Sequence, residues 1–387
     1  MSKKVLVNGK VLINKELIET NVLIENGIIK GIESVDLVTL EEGYEIIDAK
    51  GKIVVPGFID IHTHGANGID VNHASIEDLL ALSDYYGTKG VTSYLPTLLT
   101  DEHKTMCTIV ERISKAKREQ TTGAQILGVH MEGPFLNTIY KGAMPEHLIQ
   151  QSSIENLKQY EKASDDNIRY MTVSVENEGI AELIKYATSK GIVISLGHTG
   201  GDYHSCMTCI AAGANSATHL FNAMQPIHQH NPSIVGAALE SDIYTEFICD
   251  GFHLHPGIVR LVVKTKGMER VIGVTDSIMA AGLKDGNYKL GVNDVVVKNG
   301  DASLVNGGNR AGSTLTMDRA ISNIIKFTGK PIEECARLVS QNPATLLGIE
   351  DKKGTIAVGK DADIVLLNED YTVFRTLAKG ETIYQSN

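Results

Sequence analysis

Positive charge is the first thing this chain is short of. Its 387 residues carry 36 basic and 47 acidic side chains, a formal net charge of −11. So acidic a surface argues against nucleic acid or an anionic membrane as partner. A small anionic substrate stays open, because one pocket can be locally positive. Long apolar runs are missing too. After Met1-Ser2-Lys3-Lys4 only Val5-Leu6-Val7 precede Asn8-Gly9, too little for a signal-peptide core, and no later run reaches the roughly 20 residues that span a bilayer. The expectation is a soluble, cytoplasmic protein. Cysteine is scarce and odd in number, with five in all, which does not suggest a disulfide framework. Cys206-Met207-Thr208-Cys209 is not read as a redox pair. It lies in a segment that reads as a helix ended by Gly213, and an i, i+3 spacing packs both thiols inside on one face. Internal repeats and low-complexity linkers are absent as well.

What is present is a chain long enough for more than one core. At 42% hydrophobic residues, a large domain with an appendage, or two domains, is expected. The first 54 residues alternate short β-like runs with turns: Lys4–Val7, Val11–Ile13, Asn21–Ile24, Ile28–Ile32 and Glu45–Asp48. Asn8-Gly9 and Asn26-Gly27 read there as hairpin turns. Residues 354–387 return to that character, so both termini are expected to build one small β-sandwich. The middle, 55–353, alternates strand and helix. Eight strands can be counted: Phe58–His62, Thr92–Pro96, Leu127–Met131, Tyr170–Val175, Val193–Leu196, Ser216–His219, Glu246–Cys249 and Val271–Thr275. Helical patterns separate them, for example Ser75 capping Ile76–Ser83 with Gly90 beyond. That count predicts an α/β fold, a (β/α)₈ TIM-like barrel. An insertion at 284–309, two short β runs between Asn- and Gly-rich turns, is expected as a β-hairpin near the barrel mouth.

The chemistry gathers at strand ends. Side chains two apart on a strand share a face, so His62-Thr63-His64 aims two imidazoles at one point, half of a metal site. Four later apolar runs each end in another ligand type: Glu132 after Val129-His130-Met131, His198 after Ser195-Leu196-Gly197, His219 after Ala217-Thr218, and Asp276 after Gly273-Val274-Thr275. In a barrel these fall at the C-terminal ends of strands one, three, five, six and eight, the face where such folds place catalysis. A mixed His, Glu and Asp set suits one or two Zn²⁺ or Fe²⁺ ions better than Mg²⁺ or Ca²⁺. A metal of this kind lowers the pKa of its water to about 7, and Asp276 is placed to relay the proton to a leaving group. The assembly is built for hydrolysis of an amide, lactam or ester. His130 reads as a supporting group or as nothing. His73, His103, His147 and His204 read as ordinary surface residues.

Taken together, Pro56–Gly65, Glu132–Asn137, Gly197–Thr199, Thr218–Met224, Cys249–His253, Val274–Asp276, Gly312–Met317 and Asn342–Gly348 resemble the amidohydrolase superfamily, and within it the N-acetylglucosamine-6-phosphate deacetylases. The resemblance spans essentially the whole chain. It implies that Glu132, His198 and His219 hold one metal, and that His62 and His64 with Glu132 hold a second. It implies Asp276 as general base and then acid. Substrate contacts would come from Asn222, Ala223 and His253, with Arg310, Ala311 and Gly312 closing over the sugar. A homodimer is expected from the same resemblance. Two positions depart from the pattern. Met144, next to Ala143, stands where many relatives carry a histidine that polarises the acetyl carbonyl, and a thioether donates no hydrogen bond. His230 stands where many carry a phosphate-binding arginine, and imidazole cannot form the bidentate clamp. The favoured expectation is deacetylation of N-acetylglucosamine 6-phosphate. Behind it stand the galactosamine isomer or an unphosphorylated sugar, and last a non-catalytic assembly partner.

Overall fold

The computed structural model describes residues 2–33 and 43–386. Residues 1, 34–42 and 387, all within the expected terminal β segments, lie outside the described residues. The two chain ends meet in one mixed eight-stranded sheet. Strands Lys3–Ile13, Glu16–Glu25, Ile28–Glu33, Glu45–Asp48 and Ile53–Pro56 come from the N-terminal part, and Ile364–Leu367, Val373–Ala378 and Glu381–Gln385 from the C-terminal part. The halves join where Ile53–Pro56 runs antiparallel to Ile364–Leu367. Residues two apart along these strands turn to one side, so Leu6, Val11, Val22, Ile24, Val54, Ile364 and Leu366 form a buried apolar core of the sheet's own.

Asn8-Gly9 is not the hairpin turn that its sequence suggests. It sits inside Lys3–Ile13, where the pairing register shifts between Leu6 and Gly9. The glycine serves close approach: a Cβ there would lie 2.7 Å from Val54 Cγ2. The turn falls instead at Asn14 and Lys15, both left-handed with φ 50° and 69°, as a two-residue hairpin requires. Asn26-Gly27 turns the chain between Glu16–Glu25 and Ile28–Glu33 as expected.

Between the chain ends, eight parallel strands form a near-closed barrel: Phe58–Thr63, Val91–Leu99, Val129–Glu132, Ile168–Val173, Val193–Leu196, Ser216–Ala217, Tyr244–Ile248 and Val271–Val274. Strand one meets the chain just past the end of strand eight. There the Asp276 amide donates to His62 O (2.9 Å) and the His64 amide to Ser277 O (2.8 Å). Asp60 ties the same seam from within, accepting from Thr275 Oγ1 at 2.6 Å. Helices fill the connections. Ile76–Gly87 starts in a capping box, with Ser75 Oγ accepting from the Asp78 amide and Asp78 accepting from the Ser75 amide. In Tyr203–Ala211 both Cys206 and Cys209 are buried, and burial pushes the Cys209 thiol up to about 11. Those thiols are structural.

The insertion differs from the expected hairpin by one strand. Gly286–Leu290, Asn293–Lys298 and Asp301–Leu304 form a three-stranded antiparallel sheet. Two tight turns explain it, Gly291-Val292 with Gly291 at φ 53°, and Asn299-Gly300 at φ 53° and 80°. The first turn splits the β run between Asn287 and Asn299 into two strands, and Asp301–Leu304 is the second expected run. Leu290, Val295, Val297 and Ala302 of this sheet pack on Leu99, Leu136, Met144 and Ile278, which seats the sheet at the barrel mouth.

Candidate active site

Five of the proposed ligands converge on one point. Strand one carries His62 and His64, strand three ends in Glu132, and His198 and His219 follow strands five and six. Glu132 Oε1 lies 3.1 Å from His198 Nε2, 3.1 Å from His219 Nε2 and 3.4 Å from His62 Nε2, while Oε2 lies 3.3 Å from His64 Nε2. Asp276 Oδ1 stands 3.1 Å from His64 Nε2 and 3.5 Å from His62 Nε2. Two groups result that could hold a metal ion, His62–His64–Glu132 and Glu132–His198–His219, with the carboxylate common to both.

The backbone pays attention to these positions. His198, His219 and Asp276 have φ of 49°, 30° and 47°, a left-handed conformation uncommon for residues with a side chain. Each one lies just beyond a strand end, where the chain turns out of the barrel and the side chain must still face the axis. Strain of this kind gathers at functional sites. Ring orientation is fixed from behind: Nδ1 of His64 faces Thr97 O at 3.1 Å, Nδ1 of His198 faces Tyr140 O at 2.9 Å, and Nδ1 of His62 faces Glu246 Oε2 at 3.0 Å. An Nδ1–H donated to these acceptors directs each Nε2 inward, ready to present a lone pair once it carries no proton.

The donor set fits a divalent cation. His198 Nε2 and His219 Nε2 lie 3.2 Å apart and both face Glu132 Oε1 at 3.1 Å, an arrangement a shared cation would satisfy. His62 Nε2 is buried and has no hydrogen-bond partner among the described residues. Burial opposes charge on Glu132, but His62 and His198 outweigh it and hold the carboxyl well below the usual range. Burial likewise opposes charge on His64, yet its hydrogen bonds to Asp276 and Glu132 push it up to about 9. The cluster is thus a buried carboxylate pair seeking positive charge.

Above it opens a cavity of about 320 Å³. Of the residues the sequence singles out, His64, Glu132, His198, His219, Asp276, Ala143, Met144, Asn222, Ala223, His253, Arg310 and Gly312 line it. His62 lies beneath, fully buried. Ala311 faces the apolar cluster under the insertion. His230 is not brought in: it is exposed on the loop before Ser233–Glu240, with its amide donating to His228 Nδ1. Pro226 to Asn231 are exposed, and His230 is not among the residues that line the cavity. Met144 is buried against Leu99, Leu136 and Leu290. His253 is oriented by Asp250, Nδ1 to Oδ2 at 2.6 Å, and Arg310 is clamped by both oxygens of Asp301 at 3.0 Å.

Sequence reasoning passed over Leu99, Ile139, Tyr140, Leu290 and Asn309 in the lining. It also passed over Glu246, although a lone carboxylate inside the apolar run Tyr244–Ile248 was a readable signal. His130 lies behind the site, with Nδ1 on Ile61 O and Thr97 Oγ1 and Nε2 on Thr172 Oγ1.

The sequence matches the amidohydrolase family over residues 53–383. It is 36% identical over 381 residues to the N-acetylglucosamine-6-phosphate deacetylase of Bacillus subtilis, covering 96% of each chain. This chain belongs to the amidohydrolase family, among the N-acetylglucosamine-6-phosphate deacetylases. The amidohydrolase is also 31% identical to the N-acetylgalactosamine-6-phosphate deacetylase of Escherichia coli, covering 92% of this chain and 93% of that one. Its backbone matches a Mycobacterium smegmatis N-acetyl-D-glucosamine-6-phosphate deacetylase mutant solved in complex with N-acetyl-D-glucosamine-6-phosphate. That TM-score is 0.92 at 28% identity, with each chain covered completely.

Proposed function

We propose that this amidohydrolase cleaves the acetamide of N-acetylglucosamine 6-phosphate, giving acetate and glucosamine 6-phosphate. The observation that carries the reading is the meeting of four imidazole Nε2 atoms on one buried carboxylate, Glu132, with Asp276 beside them at a cavity floor. His62, His64, Glu132, His198 and His219 would hold one or two divalent ions, and the nitrogen-rich donor set favours Zn²⁺ or Fe²⁺. Bound there, such ions supply Lewis acidity toward water and the amide carbonyl. Asp276 would take the proton that water loses as it adds to the carbonyl carbon. It would return that proton to nitrogen as the C–N bond breaks, so the amine departs neutral. Asn222, Ala223 and His253 would orient the sugar phosphate, and Leu99, Met144 and Leu290 give the cavity a dry apolar side. Met144 offers the carbonyl no hydrogen bond, which leaves its polarisation to the metal side of the site.

The galactosamine isomer and unphosphorylated sugars form a second reading, favoured by Met144 and by the placement of His230 outside the cavity. We also propose a cytoplasmic homodimer. All five cysteines are free, in keeping with a reducing compartment. Ile139 and Ile227 are 82% and 52% exposed, on loops joined through a Tyr140–Gln225 hydrogen bond. Acetate release from N-acetylglucosamine 6-phosphate, its galactosamine isomer and both unphosphorylated sugars, measured side by side on metal-loaded protein, tests the reaction. The first substrate is expected to lead. A lead by another reassigns specificity, and no turnover of any of them rejects the reading.

A further inference from the structure

We propose that Glu246 is the positioning residue that gives this site its second cation: it holds His62 ready as a ligand and supplies negative charge that a single divalent ion leaves unbalanced. The inference rests on the reading that the two His/Glu groups bind divalent ions. Glu246 is fully buried on strand seven, behind the site rather than in the cavity. Its Oε2 lies 3.0 Å from His62 Nδ1 and accepts from the His219 amide at 3.2 Å, and its Oε1 accepts from Tyr170 Oη at 2.5 Å. An ionised carboxylate only accepts, so Nδ1 carries the proton and Nε2 presents its lone pair toward Glu132.

His62 is singled out by this arrangement. His64 and His198 direct Nδ1 at backbone carbonyls, Thr97 O and Tyr140 O, which are neutral acceptors. Full charge backs only His62, a member of the group formed with His64 and Glu132. Charge balance points the same way. Glu132, Asp276 and Glu246 are all buried, and their ion pairs among the described residues are with histidines alone. One divalent ion leaves these groups with surplus negative charge in a medium that penalises it. A second removes the surplus.

Zinc titration of the metal-stripped protein, followed by calorimetry and by metal content after gel filtration, tests the proposal. The unmodified chain is expected to take two ions. Glu246→Gln keeps shape and one acceptor oxygen, removes the charge and turns the other acceptor into an NH2 donor. It should keep one ion at near-normal affinity and bind the second about 10- to 100-fold more weakly. Glu246→Asp, with charge restored on a shorter stem, should recover part of that loss. Two ions at unchanged affinity in Glu246→Gln overturn the proposal, and so does parallel weakening of both, the mark of a merely structural residue. Melting of the metal-free variants checks folding. Should Glu246→Gln not fold, Tyr170→Phe removes the hydroxyl that orients Glu246, and the same selective loss is expected of it. An unmodified chain that binds no zinc refutes the metal-site reading itself, not the part given to Glu246.

Discussion

Asp276 and Glu132 are both buried carboxylates among the same histidines, yet their surroundings suit them to different work. Glu132 meets all four Nε2 atoms, whereas Asp276 Oδ1 approaches only His62 and His64. Asp276→Asn should therefore lower kcat by about 10²- to 10⁴-fold, the usual worth of a positioned proton carrier, with metal content by mass spectrometry close to normal. Metal lost in proportion to activity would assign Asp276 to ion binding instead. Glu132→Ala should strip metal and turnover together. Turnover surviving in metal-depleted Glu132→Ala would break the assigned site.

At the scale of elements, a buried ion cluster locks the terminal sheet to the barrel. Lys353 Nζ lies 2.6 Å from Asp363 Oδ2 and 3.0 Å from Asp361 Oδ2, and donates to Gln125 Oε1 at 3.1 Å. Asp363 also receives the Lys379 amide on its side chain and the Gly57 amide on its carbonyl. Lys353→Met leaves two carboxylates without their cation and should destabilise the fold by about 3–5 kcal/mol. Urea denaturation reads this directly, and an unchanged midpoint would mean that water reaches the cluster. The barrel strands were legible because each apolar run stops at a polar residue. The terminal turns were less so: Asn8-Gly9 carries a turn's composition but answers to the close approach of Val54, and Asn14-Lys15 makes the true turn without a glycine. The cavity lining was least legible. Tyr140 and Leu290 arrive on a loop and on the insertion sheet, and no local pattern announces which surface such segments will cover. Glu246 could have been found, since an apolar strand rarely buries a carboxylate without a partner.

The whole molecule presents its mouth side with large apolar residues in water. Ile139 and Ile227 are more than half exposed and sit on loops in contact, a pattern that marks an association surface when it is contiguous. Ile227→Asp is expected to shift the mass measured by light scattering from two chains toward one. A single-chain mass for the unmodified protein would reject the dimer.

The barrel's closing seam has a consequence for its motion. Strands one and eight are joined by a few bonds near His62, His64, Asp276 and Ser277 rather than by a regular ladder, so His62 and His64 stand on one side of the join and Asp276 on the other. Cations held there would fasten a hoop at its weakest link. Amide hydrogen exchange at His64 and Asp276, whose N–H groups cross the seam, should slow on zinc binding more than exchange in strands four and five. Protection that rises evenly around the barrel would mean that the seam is no weaker than the rest.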